Sequence, residues 1–216
     1  MDTDSRLRKA VLDELEFEPS LDAANIGVSA EDNVVTLTGH VPTYPQKLAA
    51  ERAAWRVKNV RAVVEDITVR YTGAPMSDEE LAKRALSLMK WNSMVPDDIR
   101  VTIHHAWVTL EGEVQWQFQR DTAAKVVRHL DGIRGVTNNI TLKPTPRTRE
   151  VKLRIEQALR RNAETEARKI IVDLPDGHTV MLDGHVQSYA ERMAAERAAW
   201  SVPGVTAVVD RIAIGP

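Results

Sequence analysis

The sequence predicts an α+β protein built from three copies of one unit of about 72 residues. The strand-like segments VTLTGHV, VTLEGEV and VMLDGHV recur along the 216-residue chain, and their glycines, Gly39, Gly112 and Gly184, lie 73 and 72 residues apart. The positions 21, 24, 28 and 30 residues after each glycine are apolar in all three copies. The letters AAERAAW also occur twice, ending at Trp55 and Trp200. Self-similarity at a fixed period indicates a tandem repeat.

Each copy predicts the element order helix, strand, strand, helix, strand. Apolar residues about one turn apart indicate the opening helix, and the second strand alternates so that Val35, Leu37 and Val41 share one face. The second helix then crosses back to a closing parallel strand. We therefore expect αββαβ units, each a small three-stranded mixed sheet packed with two helices. The opening stripes are Leu7, Val11 and Leu15, then Leu81, Ala85 and Leu88, then Val151, Ile155 and Leu159.

Proline and glycine punctuate the segments TGAPMS and KPTPRT, which separate the copies. We therefore predict units at residues 1–72, 76–143 and 147–216. Helix starts are indicated by three matches to the capping box, in which a hydroxyl and a side chain three residues later satisfy free amides. The matches are Ser77 with Glu80, Thr43 with Gln46, and Ser188 with Glu191. A unit this small buries only ~60% of its chain surface, which favours stacking between copies.

Composition and charge exclude several classes of function. The net charge is −2, and the three blocks of the chain carry −3, 0 and +1, so none resembles a nucleic-acid-binding domain. There is no cysteine, and no window of 18 apolar residues that could span a membrane. The N-terminal segment lacks the apolar region of a signal peptide. We therefore expect a cytoplasmic protein, at most peripheral at the inner membrane.

No pattern in the chain predicts catalysis or a cofactor. Phosphate-loop, nucleophile-elbow and zinc-protease motifs are absent, so we expect a non-enzymatic protein without cofactors. The repeat glycines are interpreted as structural, since a glycine at a strand end marks a bulge or a close backbone contact. His40 and His185 share the position after this glycine and are interpreted as polar strand-end residues, not metal ligands. His104 and His105 are expected to point to opposite faces of one strand.

The helix containing AAERAAW carries two stripes. Ala50, Ala53, Ala54 and Val57 form an apolar face that we expect to pack on the sheet. A second stripe of Tyr44, Leu48 and Trp55 lies roughly opposite. It recurs in the third copy and becomes Gln117, Asp121 and Arg128 in the middle copy. We predict an interface here, either packing of unit 1 on unit 3, self-association, or an external binding surface. The third copy of the stripe is Tyr189, Met193 and Trp200.

The segment from residue 147 to residue 161 predicts a basic amphipathic helix, with six Lys or Arg against two Glu. Such a helix can lie on anionic lipid. The alternative is a solvated basic face, because the apolar side of the same helix is needed for the core of the third unit. The candidate lipid contacts are Arg147, Arg149, Lys152, Arg154, Arg160 and Arg161.

The three copies share a strand ending in Gly-x-Val, an Ala-rich helix, a Gly or Asn followed by Val or Ile, and a closing apolar strand. This pattern resembles the BON domain family (bacterial OsmY and nodulation). The resemblance covers nearly the whole chain and implies a non-enzymatic module for phospholipid or membrane-surface binding, linked to osmotic or envelope stress. Two alternatives stay open: a protein-interaction or self-assembly scaffold that uses the aromatic stripes, and a small-ion or ligand sensor.

Overall fold

The computed structural model describes residues 3–143, 148–161 and 170–214, with the backbone alone for residues 148–150 and 160. It contains the αββαβ order three times, as predicted. The first copy comprises α1 (Thr3–Phe17), β1 (Ile26–Glu31), β2 (Val34–Val41), α2 (Tyr44–Arg56) and β3 (Ala62–Val69). The second comprises α3 (Asp78–Lys90), β4 (Arg100–His104), β5 (Trp107–Val114), α4 (Gln117–Arg128) and β6 (Gly135–Leu142). The third comprises α5 (Thr148–Arg161), β7 (Ile170–Asp173), β8 (Thr179–Val186), α6 (Tyr189–Trp200) and β9 (Ala207–Ile214).

Each copy forms its own three-stranded sheet with the second strand in the centre, in the orders β1-β2-β3, β4-β5-β6 and β7-β8-β9. In the first sheet β1 and β2 form an antiparallel hairpin, and β3 returns parallel to β2. The third sheet has the same pairing. The predicted hairpin and parallel crossover are therefore confirmed in these two sheets.

The opening helix of each copy buries one apolar stripe. Two of the three predicted stripes are fully buried, those in α1 and α5. The predicted stripe of α3 is wrong at one position: Met89 is buried, with 6% of its surface exposed, whereas Leu88 is 40% exposed. The buried residues of all three helices are spaced by four, which keeps them on one helix face.

The three repeat glycines all lie at positive φ, with values of 112° for Gly39, 143° for Gly112 and 136° for Gly184. A Cβ on Gly39 would lie 2.0 Å from the carbonyl oxygen of Asn25. On Gly112 it would lie 3.3 Å from the carbonyl oxygen of Asp98. The central strand therefore passes close to the backbone that enters the first strand, and a side chain at this position would be strained.

One of the three predicted capping boxes is complete. Ser77 and Glu80 satisfy each other's backbone amides at the start of α3. At the start of α2, Thr43 accepts from the Gln46 amide, but Gln46 Oε1 is buried without a hydrogen bond to any described residue. At the start of α6, the Glu191 carboxylate accepts from the amide of Gln187, one residue before the cap. These two boxes are therefore only half formed by the predicted pair.

Candidate functional site

The alanine faces of the second helices pack on the sheets, as predicted. Ala50, Ala53 and Ala54 are fully buried in the first core. Ala195 and Ala199 are fully buried in the third. Alanine has no side chain beyond Cβ, so these helices lie close to their sheets.

The two copies of the aromatic stripe have different surroundings. In the first repeat Tyr44 is buried and Trp55 is half exposed, whereas Tyr189 of the third repeat is mostly exposed. Leu48 and Met193 are partly buried. The matched sequence positions are therefore not matched in exposure.

Trp200 departs from the outward position that the helical wheel predicts. Its ring is partly buried against the core of the third repeat, and its indole Nε1 donates to Glu196 Oε1 at 3.4 Å. Trp200 is the last residue of α6 and lies between the buried residues Ala199 and Val202 in the sequence. Its place at the helix end brings part of its ring against this core.

Met193 and Trp200 also line one side of a groove of about 510 Å³. Trp116, Gln117, Phe118 and Asp121, around the start of α4, line the other side. Two of the six predicted interface residues therefore lie beside the middle repeat. Trp116 and Phe118 were not among the predicted interface residues, because the aromatic stripe is absent from the middle copy of the sequence.

The basic helix α5 buries Val151, Ile155 and Leu159 in the third core, so its apolar face is committed to folding. Lys152, Arg154 and Arg161 are exposed, as is the apolar side chain of Leu153. Arg147 lies outside the described residues, as do the side chains of Arg149 and Arg160. The described part of α5 thus presents three basic side chains, one leucine and Gln157 to solvent.

The middle repeat carries an exposed aromatic and basic surface that the sequence reading missed. Trp91 directly follows α3 and is 89% exposed. With Lys83, Arg84, Leu88 and His129 it lines an open groove of about 590 Å³, which Ser87, Leu130 and Asp131 complete. We call Lys83, Arg84, Leu88, Trp91 and His129 the Trp91 surface. The four-residue spacing of the other opening helices was the available signal: it assigns Met89 to the core and leaves Leu88 beside Trp91.

His104 and His105 do not point to opposite faces of a strand, contrary to the prediction. Strand β4 ends at His104, and His105 lies in a turn with φ of 51°, so the two ring centroids are 4.1 Å apart. The Asp78 carboxylate accepts from the amides of Ala106 and His105, and these hydrogen bonds, the one from Ala106 above all, hold the pKa of Asp78 below its usual value. His40 and His185 lie near the ends of β2 and β8.

Within residues 3–143, 148–161 and 170–214, no group of three or more His, Cys, Asp or Glu side chains is arranged to hold a metal ion. None of the helices in that part of the chain combines the length and apolar character needed to cross a membrane.

The chain is similar to several known proteins. The chain is 27% identical to Osmotically-inducible protein Y of Escherichia coli (strain K12) over 150 residues, which are 65% of this chain and 73% of that protein. Two solved structures of CdsD, a structural protein of the type III secretion system of Chlamydia trachomatis, are 13% and 14% identical. Their alignments cover 98% and 100% of this chain and 93% and 100% of theirs. Both alignments have a TM-score of 0.28.

The family comparison is specific. The model of the BON domain matches residues 3–71, 77–144 and 148–216, one match for each structural repeat. This chain belongs to the BON domain family, with three copies in tandem.

Proposed function

We propose that this protein is a non-enzymatic BON-domain protein that associates peripherally with anionic phospholipid, through the Trp91 surface of its middle repeat. The observation that carries the proposal is the exposure of Trp91 beside basic side chains. Tryptophan has an apolar ring with a polar N–H, so it is favoured where one side of a residue meets lipid and the other meets water. A tryptophan that is 89% exposed is available for such a contact without any change in the fold.

The charges around Trp91 support an anionic surface as the partner. Lys83 and Arg84 line the same groove, and both are exposed. Lys83 also pairs with Glu79 one turn earlier, at 2.5 Å, so its charge is partly compensated. A basic residue near an anionic membrane contributes ~1 kcal/mol to binding. Two such residues with one tryptophan would support weak, reversible binding that depends on ionic strength.

The exposed side of α5 is a second contact in this proposal. Lys152, Arg154 and Arg161 are free of the core, and the exposed Leu153 lies between the first two in the sequence. The candidates Arg147, Arg149 and Arg160 belong to the same stretch and remain part of the proposal. Because the apolar stripe of α5 is buried, this helix would bind through charge and would not insert.

The physiological role proposed is a response to osmotic or envelope stress. It is supported by the name of the Escherichia coli relative, which describes a protein induced osmotically. We further propose that the protein acts from the cytoplasm, at the inner face of the envelope. Fractionation of cells before and after an osmotic shift tests both statements, which require a soluble cytoplasmic pool and recruitment to the inner membrane.

Flotation with vesicles tests the lipid contact. Phosphatidylglycerol in phosphatidylcholine vesicles should recruit the protein at low salt, and Trp91→Ser should reduce binding at least ~5-fold. Phe17→Ser is the matched control: Phe17 lies ten residues after Leu7, as Trp91 lies ten after Leu81, and it is 81% exposed. Its neighbours Glu16 and Glu18 are acidic, so this variant should bind as the wild type does.

A charge-reversal pair separates the two contacts. The double variant Lys83→Glu with Arg84→Glu should lose most vesicle binding. The double variant Lys152→Glu with Arg154→Glu should also bind more weakly than the wild type, but its loss should be smaller. Equal binding of the wild type to neutral and anionic vesicles would contradict the proposal. So would unchanged binding of Trp91→Ser.

The groove beside Trp200 favours a second candidate function, a protein-interaction module. Met193, Trp116 and Phe118 give it apolar walls. Tyr189, at the start of the helix α6 that contains Met193, is also exposed. Light scattering of the wild type and of Phe118→Ser, a change at an exposed residue of this groove, tests self-association. A concentration-dependent increase in mass that the variant lacks would support this candidate over the first.

A further inference from the structure

An ion pair joins the second helix to the closing strand in the first and third repeats. In the first, Lys47 Nζ lies 3.1 Å from Glu65 Oε2. In the third, Arg192 Nε lies 2.6 Å from Asp210 Oδ2. Each acid is also largely shielded from solvent, with about 24% and 15% of its side chain exposed. The two pairs occupy corresponding positions, 145 residues apart in the sequence.

The carboxylate of each pair has a second hydrogen bond that fixes its orientation. Glu65 Oε1 accepts from the backbone amide of Ile67 at 3.1 Å. Asp210 Oδ1 accepts from the amide of Ile212 at 2.8 Å. One oxygen therefore binds the strand two residues later, which leaves the other to receive the cation from the helix.

The middle repeat keeps the cation and loses the carboxylate. Arg120 and Asn138 lie 73 residues after Lys47 and Glu65. Asn138 Oδ1 still accepts from the amide two residues later, that of Ile140, at 3.2 Å. The other end of its side chain is an NH₂ group, which donates to the backbone carbonyl of Arg120 at 3.0 Å. An NH₂ group has no acceptor to offer a guanidinium.

Arg120 consequently makes no ion pair with Asn138, and no described carboxylate replaces the one that Glu65 and Asp210 provide in the other repeats. Its Nε is buried and donates to no described residue. The two terminal nitrogens make no hydrogen bond with the described residues and are not fully buried, and the side chain as a whole is partly exposed. A half-buried cation without its acid is unfavourable, because part of its hydration is lost and nothing replaces it.

We propose that Arg120 is a binding site for an oxyanion: a carboxylate or phosphate group binds its terminal nitrogens and supplies the negative charge that Glu65 and Asp210 supply in the other repeats. The planar fork of a guanidinium matches two oxygens of such a group and binds them with charge-assisted hydrogen bonds. The oxyanion comes from solution or from a phospholipid headgroup. The site is formed by the middle repeat alone and stands independently of the Trp91 surface.

The test installs the missing carboxylate. Asn138→Asp in the full chain supplies the acid that repeats 1 and 3 contain, so it should occupy Arg120 internally and close the site. Asn139→Asp makes the same charge change on the neighbouring exposed residue and serves as the control. Thermal unfolding is followed in sodium phosphate, sodium acetate and sodium chloride at matched ionic strength.

We expect phosphate or acetate to raise the melting temperature of the wild type by ~2–4 °C over chloride. Asn139→Asp should keep this rise, and Asn138→Asp should lose it while melting higher than the wild type in chloride. Arg120→Gln should also lose the rise; if it fails to fold, the Asn138→Asp result decides alone. An equal rise in the wild type and Asn138→Asp would overturn the proposal.

Vesicles distinguish the two sources of the anion. If the ligand is a lipid headgroup, Asn138→Asp should bind phosphatidylglycerol vesicles more weakly than Asn139→Asp does. If the ligand is a free anion, the two variants should bind vesicles equally, and phosphate or acetate should still raise the melting temperature of the wild type. If neither salt exceeds chloride in the wild type, and both variants bind vesicles equally, Arg120 is not an oxyanion site. The Arg120 site and the Trp91 surface are tested separately. If Trp91→Ser loses vesicle binding but phosphate still raises its melting temperature, the Arg120 site does not depend on the Trp91 surface.

Discussion

Asp78, at the start of α3, accepts a hydrogen bond from the backbone amide of Ala106, 2.9 Å away in the turn between β4 and β5. Its other oxygen accepts from His105 at 2.8 Å. His105 and Ala106 both lie at positive φ, 51° and 62°. Non-glycine residues seldom adopt this conformation, so the turn depends on an outside acceptor to hold it. The opening helix of the middle repeat and its hairpin are therefore connected through one carboxylate.

Asp78→Asn should destabilise the middle repeat, because an amide has one acceptor oxygen where the turn requires two. We expect a lower midpoint in urea unfolding than for Asp97→Asn, a matched change at an exposed position. The same hydrogen bonds lower the pKa of Asp78, so the stabilisation is present above its usual pKa of 3.8 and is lost as the pH falls below it. Equal midpoints for the two variants would contradict this role.

Asp176 predicts a second acid-sensitive element, in the turn before β8. Hydrogen bonds from Thr179 and the amide of His178 lower its pKa from 3.8 to about 2. Stability from this group is complete above about pH 4 and declines as the pH falls towards 2. Urea unfolding between pH 5 and pH 2 should show a smaller decline in Asp176→Asn than in the wild type, and parallel pH profiles would refute the prediction.

The repeat glycines should differ in their tolerance of alanine. Both Gly39→Ala and Gly112→Ala put a Cβ at positive φ, which costs ~1–2 kcal/mol. At Gly39 the new Cβ also meets a backbone oxygen at 2.0 Å, against 3.3 Å at Gly112. We expect Gly39→Ala to lower the free energy of unfolding by at least ~2 kcal/mol and by more than Gly112→Ala. Urea unfolding measures both, and a reversed order would show that the contact at Asn25 relaxes.

Met89 and Leu88 test the corrected stripe of α3. Met89→Ala removes a buried side chain and should cost ~2–5 kcal/mol of unfolding free energy. Leu88→Ala changes a 40% exposed side chain and should cost less than ~1 kcal/mol. Equal losses in chemical unfolding would mean that the helix face is wrongly assigned.

The two tryptophans of the AAERAAW segments should respond differently to arginine, the residue at the corresponding position of the middle repeat. Trp55 is half exposed, so Trp55→Arg should change stability by less than ~1 kcal/mol. Trp200 packs partly on the third core, so Trp200→Arg should cost about 1–3 kcal/mol. Circular dichroism and urea unfolding of each single variant decide this, and matching losses would contradict it.

The repeat period, the αββαβ order and most of the core could be read from the sequence. The three copies have the same fold with different residues. A position that stays apolar in all of them, such as Val35 with Val108 and Val180, is therefore predicted to lie in the core. Backbone periodicity is local, and a period of two or of about four residues predicts which face of a strand or helix is buried. The same comparison with strict four-residue spacing would have assigned Met89 correctly.

The candidate sites depended on tertiary structure, because exposure and partnership are properties of residues distant in the chain. Tyr44 and Tyr189 have the same place in the repeat, yet one is buried and the other exposed. The sequence shows that Asn138 stands where the other copies have a carboxylate. It does not show that Arg120, 18 residues earlier, lies against the same strand and is left without an acid. Sequence alone determined the three-copy fold, since apolar periodicity specifies it locally. Only the folded chain decided which tryptophans face solvent and which cation lacks its acid, since both depend on what packs around them.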